Sequence, residues 1–115
     1  MILLKSFYVP TTQGVDVISV GHEVRRVVQE AAAKEGWVTL FSPLPGAGFS
    51  LGPVKEAKLP GLRCQGTLVV PFNAGRLVID PWQEIYLVEE ETSGRRREFM
   101  VQLFTEVKEA KDKQA

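Results

Sequence analysis

Apolar residues recur along the chain with two different periods, and these periods predict its secondary structure. Over residues 22–35 they return every three or four positions, which places them on one stripe of an α-helix. Glu23 lies in the first turn, where the helix dipole favours an anion, and Gly36 is predicted to end the helix. The stripe consists of Val24, Val27, Val28, Ala31 and Ala32.

Shorter runs of strand-forming residues lie on both sides of this helix. Residues 2–9 and 15–20 precede it and predict a first pair of strands. After the helix, strands are predicted at residues 37–41, near 49–51 and at 67–70, the last closed by Pro71. One amphipathic helix among several strands predicts an α+β fold.

The two longest strand candidates are residues 82–89 and 96–106. A Thr-Ser-Gly turn at residues 92–94 predicts that they form a hairpin. Both strands are apolar on both faces; in the second, Phe99 and Val101 alternate with Met100 and Phe104. We therefore expect one face to pack on the core and the other on a second layer or another subunit.

The composition narrows the functional classes. A chain of 115 residues predicts one domain, residues 1–107, followed by a charged tail, residues 108–115. Fourteen basic residues balance fourteen acidic ones. The basic excess that favours phosphate-backbone binding is absent, so we expect no nucleic-acid partner. No membrane span or secretion signal is recognisable, so we expect no membrane partner and a cytoplasmic location.

A single cysteine and a single histidine limit the available chemistry. Cys64 has no second cysteine for an intrachain disulfide, and with His22 it does not make the three or four ligands that a metal site needs. His22 lies at the predicted helix start, and the sequence names no partner with which it would transfer a proton. We expect no metal site and no cofactor.

The strongest charge feature is an acidic run, residues 89–91, followed by an arginine run, residues 95–97. Opposite charges on a solvated hairpin pair across strands and contribute little. Alternatively, the guanidinium groups form an anion-binding cluster, because their geometry suits phosphate. The proline- and glycine-rich stretch 42–50 leaves a similar choice between an anion-binding loop and a plain turn, although it lacks the ending of a phosphate-binding P-loop.

Trp82 and Gln83 follow an Asp-Pro turn and begin a predicted strand. A tryptophan at such a place is usually a core or interface anchor. The adjacent Gln83 is suited to lining a pocket. The pair therefore joins the candidate site residues.

The order of these features resembles the YjbQ-like family. The matching pattern is a glycine turn at Gly75, the Trp82-Gln83 pair, a strand ending in acidic residues, the arginine run, and a Val-Gln strand at Val101. Residues 16–18, the helix and the Gly-Trp-Val strand beginning at Gly36 match upstream. The resemblance extends over most of the chain, and the Trp-Gln region is its most specific part.

The resemblance implies a YjbQ-like β-sandwich with one main helix, in which three copies assemble into a homotrimer. Family members are linked to thiamine-phosphate-synthase-like activity, and many are conserved proteins of unknown function. The chain departs from the family pattern in its middle. Residues 44–47 stand where the family has His-Thr-Thr-Ala, and about residues 53–64 remain of a second helical segment that contains another histidine. We therefore expect both pocket histidines of the family to be absent.

Together, these features predict a degenerate YjbQ-like protein without the family's His-dependent activity. It would bind a small anionic ligand or act as a structural assembly. The alternative is a thiamine-phosphate-synthase-like enzyme that uses a modified pocket. A homotrimer is the predicted assembly, and no catalytic residue is assigned. The predicted ligand-binding residues are Trp82, Gln83, Glu89, Arg95 and Arg97.

Overall fold

The computed structural model describes residues 1–11, 16–54, 65–90 and 96–106. The turn predicted at 92–94, most of the 53–64 segment and the tail at 108–115 lie outside these ranges. Within them, no helix is long and apolar enough to cross a membrane. The elements are β1 (Ile2–Pro10), β2 (Asp16–Ser19), α1 (Gly21–Glu30), β3 (Gly36–Phe41), β4 (Ala47–Pro53), β5 (Thr67–Asn73), β6 (Arg76–Leu77), β7 (Gln83–Glu89) and β8 (Arg96–Thr105).

The strands form two antiparallel sheets. Sheet A has the order β1-β8-β3-β5-β6, and sheet B has the order β2-β7-β4. Their inner side chains meet in one core. There the ring of Phe49 from sheet B packs edge-on against the ring of Phe99 from sheet A, with the ring centroids 6.0 Å apart. Val24, Val27 and Val28 of α1 join this core. Within the described residues the fold is therefore mostly β with one helix, as the α+β prediction requires.

The predicted C-terminal hairpin is wrong, because its two strands belong to different sheets. β7 is the middle strand of sheet B, and β8 lies between β1 and β3 in sheet A. The predicted pairing of the first two strands fails in the same way. β8 instead pairs with β1 over nine positions, with Phe7 opposite Phe99. Long-range pairs of this kind stabilise sheets, and a local turn signal contains no information about them.

The helix ends five residues before its predicted end, and Gly36 is not its stop. The N–H of Ala33 donates to the carbonyl of Val28, and the N–H of Ala32 donates to that of Gln29. Ala32 has φ 52. This is the Schellman arrangement, with alanine in the left-handed position that glycine usually occupies. The stop signal was missed because left-handed backbone is uncommon for alanine.

Two strands are longer than the sequence indicated. β4 begins at Ala47, directly after the Pro-Gly stretch, and reaches Pro53. β5 continues through Pro71 to Asn73. Pro71 has no N–H to donate, but its carbonyl accepts a hydrogen bond from the N–H of Val78, at 2.9 Å. A proline is tolerated here because β6, on this side of β5, is only two residues long.

The two faces of β7 and β8, which are apolar on both sides, are buried to different extents. All five residues from Ile85 to Glu89 in β7 are buried. β8 alternates, with Phe99, Val101 and Leu103 buried, whereas Phe104 on the opposite side remains 37% exposed. The core-facing prediction is thus confirmed for both strands, and the described residues leave the outward side of β8 partly exposed.

Candidate functional site

Trp82 and Gln83 lie on a tight turn that starts β7. The N–H of Gln83 donates to the carbonyl of Asp80 at 2.9 Å. The Gln83 side chain closes the turn from the other side, since its Oε1 accepts a hydrogen bond from the Asp80 N–H at 3.0 Å. Asp followed by Pro is the favoured start of a type I turn. The indole of Trp82 is 59% exposed, so Trp82 is not a core anchor of the single chain.

Glu89 and Arg97 face each other inside the protein. Arg97 Nε donates to Glu89 Oε1 at 2.9 Å, and Nη2 donates to Oε2 at 2.5 Å. Both side chains are completely buried. This is the bidentate geometry that makes Arg–carboxylate pairs strong and directional. Because Glu89 ends β7 and Arg97 lies near the start of β8, the pair joins sheet B to sheet A.

Two further hydrogen bonds extend this pair into a network. Thr11 Oγ1 donates to Glu89 Oε1 at 3.0 Å, and Arg97 Nη1 donates to the carbonyl of Pro45 at 3.1 Å. The next carbonyl, that of Gly46, accepts from the N–H of Glu90 at 2.7 Å. The network therefore holds the proline-rich loop between β3 and β4. An anion would reach the Arg97 guanidinium only if these buried groups moved.

The predicted site residues occupy the two ends of β7 instead of one pocket. Gln83 and Glu89 are the first and last residues of that strand. At about 3.4 Å per residue, their α-carbons are roughly 20 Å apart. Arg95 lies outside the described residues. The structure thus brings Glu89 together with Arg97, and Trp82 together with Gln83, but it separates the two pairs within one chain.

Glu84 organises a polar cluster that the sequence did not reveal. Its carboxylate accepts hydrogen bonds from Ser19 Oγ at 2.8 Å and from the Ile85 N–H at 2.8 Å. Arg25 Nη1 lies 3.4 Å from the same carboxylate. The carboxylate also lies against Gly21, the first residue of α1. Val20, the N-cap, offers no side-chain hydrogen bond, and Glu84 adds its negative charge to that of Glu23 in the first turn, which stabilises this helix end.

Gly21→Ala tests the fit between Glu84 and the helix start. An alanine Cβ would overlap Glu84 Oε1 and lie 2.8 Å from Arg25 Nη1. The carboxylate would have to swing away and lose its contacts, so we expect a loss of about 1 kcal/mol in the free energy of unfolding. In a Glu84→Ala background the same change should instead stabilise by up to about 1 kcal/mol, because alanine is the better helix former. Urea denaturation of the unchanged protein, the two single variants and the double variant measures the change in the free energy of unfolding in each background. Equal effects of Gly21→Ala in the two backgrounds would disprove the fit.

His22 is exposed on the first turn of α1. Its Nε2 lies 2.9 Å from Arg26 Nη2, one helical turn further on. Arginine is always a donor, so this contact requires His22 Nε2 to be the acceptor. In the described ranges, no three His, Cys, Asp or Glu side chains gather as metal ligands.

Known structures share this arrangement of sheets and helix. A YbjQ-like protein of unknown function from Sulfolobus solfataricus superimposes with a TM-score of 0.80 at 20% identity, covering 92% of this chain and 99% of the other. An uncharacterised conserved protein of the YjbQ family from Clostridium acetobutylicum gives 0.76 at 16% identity, covering 87% and 99%. The chain has a YjbQ-like fold.

A hypothetical protein from Aeropyrum pernix shares this YjbQ-like fold, with a TM-score of 0.76 at 18% identity over 90% of this chain and 99% of the other. No protein-family model matches the sequence, and no curated protein matches it at a significant level. The resemblance carried by the Trp-Gln region is therefore confirmed at the level of the fold. The structural neighbours are uncharacterised proteins, so they assign no activity to the YjbQ-like fold seen here.

Proposed function

We propose that this chain forms a cytoplasmic homotrimer of YjbQ-like β-sandwiches and binds a small anionic ligand without histidine-dependent catalysis. The observation that supports assembly is the outward surface of sheet A, here called the outer face. It is built from the side chains of β1, β3, β5 and β8 that point away from the core. Its large exposed apolar members are Ile2, Leu4, Tyr8, Trp37, Phe41, Val69 and Phe104.

These residues form one continuous surface because the strand register aligns them. Phe104 of β8 lies opposite Ile2 on one side and Trp37 on the other. The rings of Trp37 and Phe104 stack with their centroids 4.4 Å apart. The next strand continues the row, since Pro71 lies opposite Trp37. Stacked aromatic side chains at the middle of such a surface are typical anchors of protein interfaces.

The size of the outer face favours an interface over a bare surface. Its seven large apolar side chains are between 37% and 63% exposed. If each of these four aromatic and three aliphatic residues has roughly 200 Å², half exposure gives roughly 700 Å² of exposed area in total. The largest apolar patch of a typical monomer is about 300–600 Å². One side of a standard interface is about 800 Å².

The charges beside this surface favour another copy of the chain as its partner. Tyr8 donates a hydrogen bond to Glu98 Oε2 at 3.3 Å, and the Arg96 guanidinium lies 4.2 Å from the centre of the Tyr8 ring. A cation and an anion thus lie side by side next to the apolar area. A surface that carries both signs can complement its own copy across a symmetric assembly.

Phe104→Glu tests this assembly. A buried, unpaired carboxylate at the centre of an interface is strongly unfavourable, so we expect the variant to sediment as a monomer at concentrations where the unchanged protein is a trimer. Leu44→Glu is the matched control, because Leu44 is 53% exposed on the loop before β4 and lies off the outer face. Sedimentation velocity, with circular dichroism to verify folding, gives the result. A monomeric unchanged protein, or a trimer that persists in Phe104→Glu, contradicts the proposal.

The ligand-binding part of the proposal rests on arginines that remain near the surface. Arg25 is 42% exposed at its side chain, and Arg76 and Arg96 are exposed, whereas Arg97 is buried against Glu89. Guanidinium groups suit phosphate and carboxylate ligands. The thiamine-phosphate-synthase-like enzyme is retained as the alternative. No contact within the described residues favours it, since His22 contacts Arg26 at the surface and has no carboxylate positioned as a proton-transfer partner.

A further inference from the structure

A groove with a volume of about 290 Å³ lies between α1 and the segment 75–81, which leads from sheet A to sheet B. Its apolar lining comes from both sides. Val28 contributes from the buried face of the helix, and Leu77 and Ile79 contribute from the segment. The groove is at the small end of the range for small-molecule sites, and such sites combine an apolar lining with a few polar groups.

The polar groups of the groove include one arginine from each side. Arg25 comes from α1, and Arg76 comes from β6. Arg25 uses one nitrogen for the 3.4 Å contact with Glu84, so its other N–H groups are left for a further acceptor. Arg76 pairs with Asn73 through the backbone, but its side chain has neither a hydrogen bond nor an ion pair with any other residue that the structure describes.

We infer that this groove binds a small organic anion, with a phosphate or carboxylate head between Arg25 and Arg76 and a ring-sized apolar body on Val28, Leu77 and Ile79. The inference rests on the proposed binding of a small anion and gives that ligand a location. Asp80 also lines the groove and disfavours a second negative charge on the body of the ligand. The site therefore selects a ligand with one anionic head and a neutral body, not a ligand with several separate anionic groups.

The protein is titrated with phenyl phosphate and, separately, with inorganic phosphate, both at constant ionic strength. Binding is measured from the backbone amide signals by NMR. Phenyl phosphate should shift the amide signals of Gln29, Leu77 and Ile79, and it should bind several-fold more tightly than inorganic phosphate because its ring covers the apolar lining. Arg76→Gln should weaken the binding of phenyl phosphate about tenfold, the usual effect of losing one hydrogen bond to a charged group. Arg26→Gln should leave it unchanged, because Arg26 neighbours Arg25 on the helix but does not line the groove.

The outcomes separate this inference from the broader proposal. Amide shifts confined to residues 96–106 would support the binding of a small anion but overturn the groove as its site. An equal loss of affinity for phenyl phosphate in Arg26→Gln and Arg76→Gln would show that the anion is attracted by the overall positive charge. That result would overturn the groove as well. Equal affinity for the two probes would overturn the role of the apolar lining. No shift with either probe would overturn both proposals.

Discussion

Gly36→Ala should destabilise the protein by about 3–5 kcal/mol, or prevent it from folding. Gly36 begins β3 with φ 152, where a residue with a side chain is strained. A Cβ at this position would overlap the carbonyl oxygen of Phe104 in the neighbouring strand β8. That oxygen belongs to the backbone, so the clash is relieved only if the two strands separate. Guanidinium denaturation at a fixed protein concentration measures the loss.

Gly66→Ala is the matched control for this change. A Cβ on Gly66 would have no heavy atom within 4 Å. We expect it to alter the free energy of unfolding by no more than about 0.5 kcal/mol, as surface substitutions usually do. If Gly36→Ala were as well tolerated as Gly66→Ala, the close approach of β3 and β8 at this point would be incorrect.

Arg97→Ala should cost about 3–5 kcal/mol of stability, because it leaves the Glu89 carboxylate buried without its cation. Since small domains are stable by only about 5–15 kcal/mol, this is a large share of the total. Arg96→Ala is the control. Arg96 is the next residue but is exposed, and losing its contact with the Tyr8 ring should cost about 0.5–1 kcal/mol. Thermal and denaturant unfolding of both variants supply the comparison.

Replacing both buried partners tests the same network more sharply. The double variant Glu89→Leu with Arg97→Met should recover most of the loss of Arg97→Ala, because an apolar pair leaves no uncompensated charge. Its remaining defect should appear in the loop that Arg97 holds through the Pro45 carbonyl, as increased amide hydrogen exchange near that loop. If Arg97→Ala were no less stable than the double variant, the unpaired Glu89 carboxylate would not be the cause of the loss in stability.

The positions of most strands and of the helix follow from local periodicity, which is why they could be predicted. Sheet partners could not. β7 and β8 are each apolar on both faces, so their pattern fits several neighbours, and the turn signal between them suggested the wrong one. The helix end depended on Ala32 adopting a left-handed backbone, which its sequence context did not indicate.

The buried Glu89–Arg97 pair did leave a signal in the sequence. Glu89 has the same parity as Ile85 and Leu87 in one strand, and Arg97 has the same parity as Phe99 in the other. Alternation thus puts each charge on the same side of its strand as these apolar residues, a signal that the solvated-hairpin interpretation of the two runs did not use. The Glu84 cluster left no comparable signal, because Gly21 and Glu84 are more than 60 positions apart in the sequence.

The place of β8 between β1 and β3 has a consequence for protein synthesis. Until β8 has left the ribosome, β1 and β3 have no strand to join them, and sheet A consists only of β3, β5 and β6. The nascent chain must keep the aromatic side chains of β1 and β3 from aggregating during that interval. Completion of the sheet then requires contacts between the two extremes of the described chain, such as Ile2 with Phe104, and this high contact order makes folding slow.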